Sequence, residues 1–159
     1  MKQKNYQYLI LILSIAAAEF AGVIGSFFTF PSIPSWYSLL IKPSFSPPDW
    51  LFGPVWIILY ALMGTAAWLI WKQQKKSGVC EANAFYGFQL ALNVLWSILF
   101  FDAHFIGLAL LEIVVLWLMI LTTTIFFFRL SRTAAYLMLP YLAWVTFAVV
   151  LNYSLWQLN

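Results

Sequence analysis

The chain has 159 residues, of which 64% are hydrophobic and only 8% charged. That is far below the roughly 25% charged content of soluble domains, so a water-soluble fold is excluded and a single integral membrane domain over residues 1–159 is expected. The net charge of +3 comes from cations placed beside apolar runs, where they orient helices in a bilayer, so nucleic acid is not an expected partner. A single cysteine, Cys80, cannot close an internal disulfide, and a single histidine, His104, cannot build a multi-histidine metal site. No metal is expected.

The first apolar run, about Tyr6 to Phe28, is long enough for the roughly 20 residues that span a bilayer. Lys2, Lys4, the apolar stretch from Leu9 and Ala16 to Ala18 also outline a signal peptide. Hydrophobicity persists to Phe30, beyond a signal core, so a retained first helix is the expectation. Ala18 with Gly22 and Ala21 with Gly25 form small-xxx-small pairs that admit a close neighbour, either within one bundle or across a homodimer. Glu19 interrupts the apolar run, and a carboxyl at that depth costs on the order of 3 kcal/mol unless it faces a partner or cavity. It reads first as a bundle-facing group, with a ligand role as the alternative.

A proline-rich loop is expected over residues 29–50, holding Pro31, Pro34, Pro43, Pro47 and Pro48. Loops of such length tend to be lids or binding loops, while Trp36 and Tyr37 also suit headgroup depth. The second helix follows over about 51–71, with Pro54 in its first turn and Trp56, Tyr60, Met63, Ala67 and Trp71 along one face. Lys72, Lys75, Lys76, Ser77 and Gly78 end it in a charged turn.

The third helix, about 84–101, aligns Gln89, Asn93, Trp96 and Phe100 on one face, the two amides serving as interhelical ties or as pocket lining. Asp102 to His104 reads as a solvated connection into the fourth helix, about 106–127, where Glu112 either snorkels or meets Glu19 or an amide. The fifth helix, about 133–156, presents Tyr141, Trp144, Ala148 and Leu151 beyond Pro140, whose missing N–H predicts a kink or a freed carbonyl.

Seven of the eight cations (Lys2, Lys4, Lys72, Lys75, Lys76, Arg129 and Arg132) fall on one side of such a bundle, and Lys42 alone on the other. The positive-inside rule then places the amino terminus in the cytoplasm, with the proline loop and carboxy terminus outside.

Four segments carry a family resemblance: Trp36-Tyr37; the string KPS-x-x-PP-x-W-x-x-GPVW-x-x-LY-x-x-MG from Lys42 to Gly64; QLALN-x-x-W from Gln89 to Trp96; and PYLAW from Pro140 with LNY from Leu151. The chain resembles the translocator protein family, also called tryptophan-rich sensory proteins or the peripheral benzodiazepine receptor family. The resemblance implies an all-α integral membrane protein of five transmembrane helices, seated in a bacterial cell membrane, that binds tetrapyrroles, sterols and drug-like hydrophobic molecules. It also favours the lid reading, with Tyr37 and Trp50 helping to close the site. Two departures stand out. Phe45 replaces a tryptophan common in the family's loop, and no cation follows Leu151-Asn152-Tyr153, which weakens a sterol-recognition pattern.

No Ser-His-Asp set, glycine-rich phosphate cradle or paired-carboxylate motif is present, so conventional enzymology is not expected. What remains is a pocket of aromatic faces under a stiff loop, suited to flat hydrophobic molecules. Tyr37, Lys42, Trp50, Trp56, Asn93, Trp96, Trp144, Ala148 and Leu151 are its expected lining, with Lys42 the one cation on that side to meet a porphyrin's carboxylates. A tetrapyrrole receptor with no required cofactor is the leading expectation. One alternative is light- and oxygen-dependent porphyrin degradation, for which the resemblance points to Trp56 and Trp144 as oxidisable partners. Others are porphyrin or sterol transport, and a passive membrane subunit whose tryptophans mark bilayer interfaces.

Overall fold

The computed structural model describes residues 2–159, with side chains from residue 6 onward; Lys2 and Lys4, which count in the charge bias, have side chains outside that range. Five helices long and apolar enough to cross a membrane make up the described chain: α1 (Lys2–Ser35), α2 (Phe52–Trp71), α3 (Val79–Ser97), α4 (Ile106–Leu130) and α5 (Arg132–Leu158). They alternate in direction. Neighbouring pairs run α1 with α2, α2 with α5, α5 with α4, α4 with α3 and α3 with α1, which closes a ring around one core.

The first helix is longer than expected. It continues seven residues past Phe28 and takes Pro31 and Pro34 into its last turns, so the connection to α2 is residues 36–51, with two short 3-10 turns within it (Tyr37–Leu39 and Asp49–Leu51), not 29–50. Each proline removes a ladder bond. Local hydroxyls add other bonds to these turns, Ser35 Oγ donating to the Pro31 carbonyl at 2.7 Å and Ser38 Oγ to the Pro34 carbonyl at 2.8 Å. Ser32 Oγ also donates to the Phe101 carbonyl at 2.6 Å, fastening the end of α1 to the end of α3.

That carbonyl is reachable because α3 widens into a π-turn over Ile98–Asp102, closed by Ala103 N to Ile98 O at 2.9 Å. Such a turn releases backbone groups from the α ladder and is often found at functional sites. Reversal into α4 is completed at His104, whose φ of 59° is left-handed. Its ring stacks on Trp36 at 4.2 Å, so this exposed turn is more than the solvated connection expected from sequence.

At the other end, α3 begins at Val79 instead of about Ala84, directly after Gly78 turns the chain at φ 88°. Close approach of α1 to α2 depends on Gly64, where a Cβ would fall 2.5 Å from Ile15 Cα, and on Gly22, whose missing side chain makes room for the Tyr60 ring. Gly25 in turn lies against Ser97 of α3. Both small-xxx-small pairs therefore pack inside the bundle.

The N-terminal half of the bundle is solid. Met63, Ala66, Ile70, Phe127, Ala134 and Met138 fill it with essentially no exposure. Glu112, near the start of α4 and so in the other half, is also buried, both carboxyl oxygens without a hydrogen-bond partner among the described residues, which removes the snorkelling alternative. That half opens into a cavity.

Candidate functional site: an aromatic cavity under the α1–α2 connection

The cavity encloses about 410 Å³ and takes its walls from all five helices. Its position follows from how α1 crosses the bundle. Near its middle α1 lies on α2, through Ile15 against Gly64 and Gly22 against Tyr60; further along it leans to α3, through Gly25 against Ser97 and Ser32 against Phe101. The outer halves of α1 and α2 therefore diverge. Val23 and Phe30 of α1, and Gly53 and Ile57 of α2, rim the gap and are exposed on the bundle's outer surface, facing lipid in a membrane.

Three indoles converge on the space. Trp56 of α2, Trp96 of α3 and Trp144 of α5 all line it, and each is held by neighbours. Trp56 lies 5.5 Å from the Tyr60 ring and 6.1 Å from that of Tyr141. Trp96 stacks on Phe100 at 5.0 Å, and its Nε1 donates to Asn152 Oδ1 at 3.1 Å; Asn152 Nδ2 in turn donates to the Ile106 carbonyl. Trp144 meets Phe52 at 6.2 Å and Phe147 at 5.6 Å.

The floor is polar. Tyr60 Oη donates to Asn93 Oδ1 at 2.6 Å, and Asn93 Nδ2 donates to Tyr141 Oη at 2.9 Å. One amide thus ties α2, α3 and α5 together while facing the cavity, so the two roles expected of Asn93 coincide. Gln89 differs. It is fully buried against Met63 Sδ at 3.9 Å and lies away from the cavity.

At the loop end, Tyr37 and Trp50 line the cavity; Tyr37 is buried and Trp50 is 71% exposed. Burial, reinforced by Asp49 and opposed by the Ser46 hydroxyl, raises the Tyr37 hydroxyl above its ordinary titration range, so it stays a neutral donor. Lys42 takes another position. It stands behind Tyr37, its Nζ 4.1 Å from the ring centroid and 3.4 Å from Asp49 Oδ1, and is not part of the lining. The loop is held to α5 at two points: Asn159 exchanges hydrogen bonds with the Ile41 backbone at 2.9 and 3.1 Å, and the Phe45 ring packs on Phe147 at 6.3 Å.

Eight of the nine residues expected to line a pocket thus share one cavity, Lys42 being the exception. Asn152, Asp49, Ser97, Phe100 and the face of α1 from Gly22 to Ile33 were not foreseen as lining, and Glu19 was expected there only as the alternative reading. Glu19 is the informative member, since its isolation in an apolar run was a visible signal. A second, more open hollow of about 620 Å³ lies at the N-terminal side among Lys76, Ser77, Gly78, Phe126, Arg129 and Leu130. It has no comparable aromatic enclosure, and Lys76 Nζ is already bound to the Leu130 carbonyl at 3.0 Å.

Comparison with known proteins places this architecture. Residues 14–157 match the model of the TspO/MBR family. The chain belongs to the TspO/MBR family. It is similar to the tryptophan-rich protein TspO of Chlorobaculum tepidum, with 45% identity over 98% of this chain and 99% of that one. It is also similar to the translocator protein of Homo sapiens, with 39% identity over 86% and 82%, and to the tryptophan-rich sensory protein of Cereibacter sphaeroides, with 42% identity over 78% and 77%. Family membership and five bilayer-length apolar helices make this an integral membrane protein.

Proposed function

We propose that the chain is a membrane receptor for flat hydrophobic ligands, tetrapyrroles foremost, which it holds in the aromatic cavity beneath residues 36–48. The observation that carries this reading is the convergence of Trp56, Trp96 and Trp144 from three helices on one space. Each ring–ring contact adds roughly 0.5–1.5 kcal/mol beyond area burial, and planar ligands can make several at once. The volume lies within the few hundred Å³ common to small-molecule sites. The gap between α1 and α2 leaves room for the rim of a macrocycle too wide to be enclosed. Relatives named as sensory and translocator proteins agree with a binding role over a purely structural one.

In this reading Tyr37 and Trp50 close the loop end, and Ala148 and Leu151 give the smooth wall beside Trp144. Lys42 meets a ligand's carboxylates only by leaving Asp49, a half-exposed pairing that costs on the order of 1 kcal/mol to break. In this reading the membrane is that of a bacterial cell and the amino terminus faces the cytoplasm, an orientation that the cation bias supports. The test is a titration of the detergent-solubilised protein with protoporphyrin in the dark, following the porphyrin's absorbance band. A saturable shift at one equivalent supports the receptor; a linear response equal to that of empty micelles refutes it.

A second reading has its own observation. Trp56 faces the cavity and has the rings of Tyr60 and Tyr141 behind it, an aromatic series that could pass an electron to a photo-oxidised indole. Light- and oxygen-dependent degradation of a bound porphyrin would use this series and needs no acid–base group. Bleaching of the bound pigment at the free-solution rate, unchanged in Trp56→Phe, would count against it.

A further inference from the structure

The cavity's lining contains two acids, Glu19 and Asp49, and no lysine, arginine or histidine. Their situations differ. Asp49 is paired with Lys42, the one salt bridge among the described residues. Glu19 lies one helical turn before Gly22, the residue whose missing side chain admits Tyr60, and it is partly accessible from the cavity. No hydrogen bond or salt bridge to Glu19 forms among the described residues, although a carboxyl at this depth is expensive without a partner. Nearby Asn93 spends its oxygen on Tyr60 and donates to Tyr141, so it does not serve Glu19. The inner end of an otherwise aromatic cavity therefore carries one unmatched acceptor.

We propose that Glu19 is a specificity-determining residue that selects flat ligands bearing a cationic nitrogen, seating the protonated N–H at the inner end of the cavity. The proposal rests on the reading of this cavity as a ligand site. A charge-assisted bond of this kind is about twice as strong as a neutral one, and the surrounding low dielectric strengthens it further. The same placement disfavours a carboxylate at the inner end. A ligand carrying both, or an acidic tetrapyrrole, orients its carboxylates towards the loop end, where Lys42 stands behind Tyr37.

The experiment compares two dyes of nearly equal shape in non-ionic detergent at neutral pH: 9-aminoacridine, a cation there, and 9-methylacridine, uncharged. The wild-type protein should bind the cation roughly tenfold or more tightly. Glu19→Gln should reduce that preference to within about twofold while retaining 9-methylacridine binding, and Glu112→Gln, which alters a buried acid that is not part of the lining, should leave the preference intact. Equal affinities in the wild type, or a preference that survives Glu19→Gln, would overturn the proposal. Displacement of 9-methylacridine by protoporphyrin separates the two readings. Displacement without a cation preference keeps the receptor and rejects the role of Glu19, whereas no saturable binding of either dye rejects both.

Discussion

Tyr60 and Asn93 are joined by a 2.6 Å hydrogen bond at the floor of the cavity, and Asn93 passes the connection to Tyr141. In a bilayer an amide of this kind is worth roughly 0.6–2 kcal/mol per helix contact. Asn93→Leu strands two buried hydroxyls and should lower stability by about 1–3 kcal/mol, read as a reduced thermal midpoint in detergent. An unchanged midpoint would mean that water or lipid replaces the amide without loss.

The close approach of α1 and α2 makes Gly64 intolerant of a methyl group. Its Cβ would meet the backbone of Ile15, which cannot rotate away as a side chain can. Gly64→Ala should cost about 1–3 kcal/mol through forced separation of the helices. Gly87→Ala, with nothing within 4 Å, should instead be neutral or stabilising by up to about 1 kcal/mol. The pair is best compared by thermal unfolding in one detergent.

Much of this arrangement is legible in the sequence, and the exceptions have physical causes. Five apolar runs with cations at their ends fix the number and alternation of the helices, and helical spacing puts Trp56 with Tyr60, Asn93 with Trp96, and Trp144 with Ala148. The helix α1 runs past its expected end because Pro31 and Pro34, which ordinarily stop a helix, lie in turns that gain added hydroxyl bonds from Ser32, Ser35 and Ser38, one of them reaching a π-turn that no local pattern announces. Lys42 looked available because its partner, Asp49, sits seven residues away across a turn whose geometry is set by Pro47 and Pro48. Glu19 could be noticed as an anomaly, but its exposure to a cavity depends on the crossing of α1 from α2 to α3.

The connection over the cavity is secured by Asn159, whose side chain exchanges two hydrogen bonds with Ile41. The two together are worth about 1–3 kcal/mol, so Asn159→Ala should loosen residues 36–48 and speed ligand dissociation by roughly fivefold to 150-fold, with less effect on association. Stopped-flow displacement of bound porphyrin measures this. An unchanged off-rate would place the exit between α1 and α2 instead of under the loop.

The most direct measurement is the dark protoporphyrin titration repeated on two tryptophan variants that separate the cavity from the rest of the bundle. Trp144 lines the cavity, whereas Trp117 of α4 lies outside it with its Nε1 bonded to Thr146 at 2.8 Å. Trp144→Leu removes ring contacts and should weaken binding by about twofold to thirteenfold, while Trp117→Phe leaves affinity within twofold of the wild type. Equal affinities in all three proteins, or equal losses in both variants, would contradict a ligand site in this cavity.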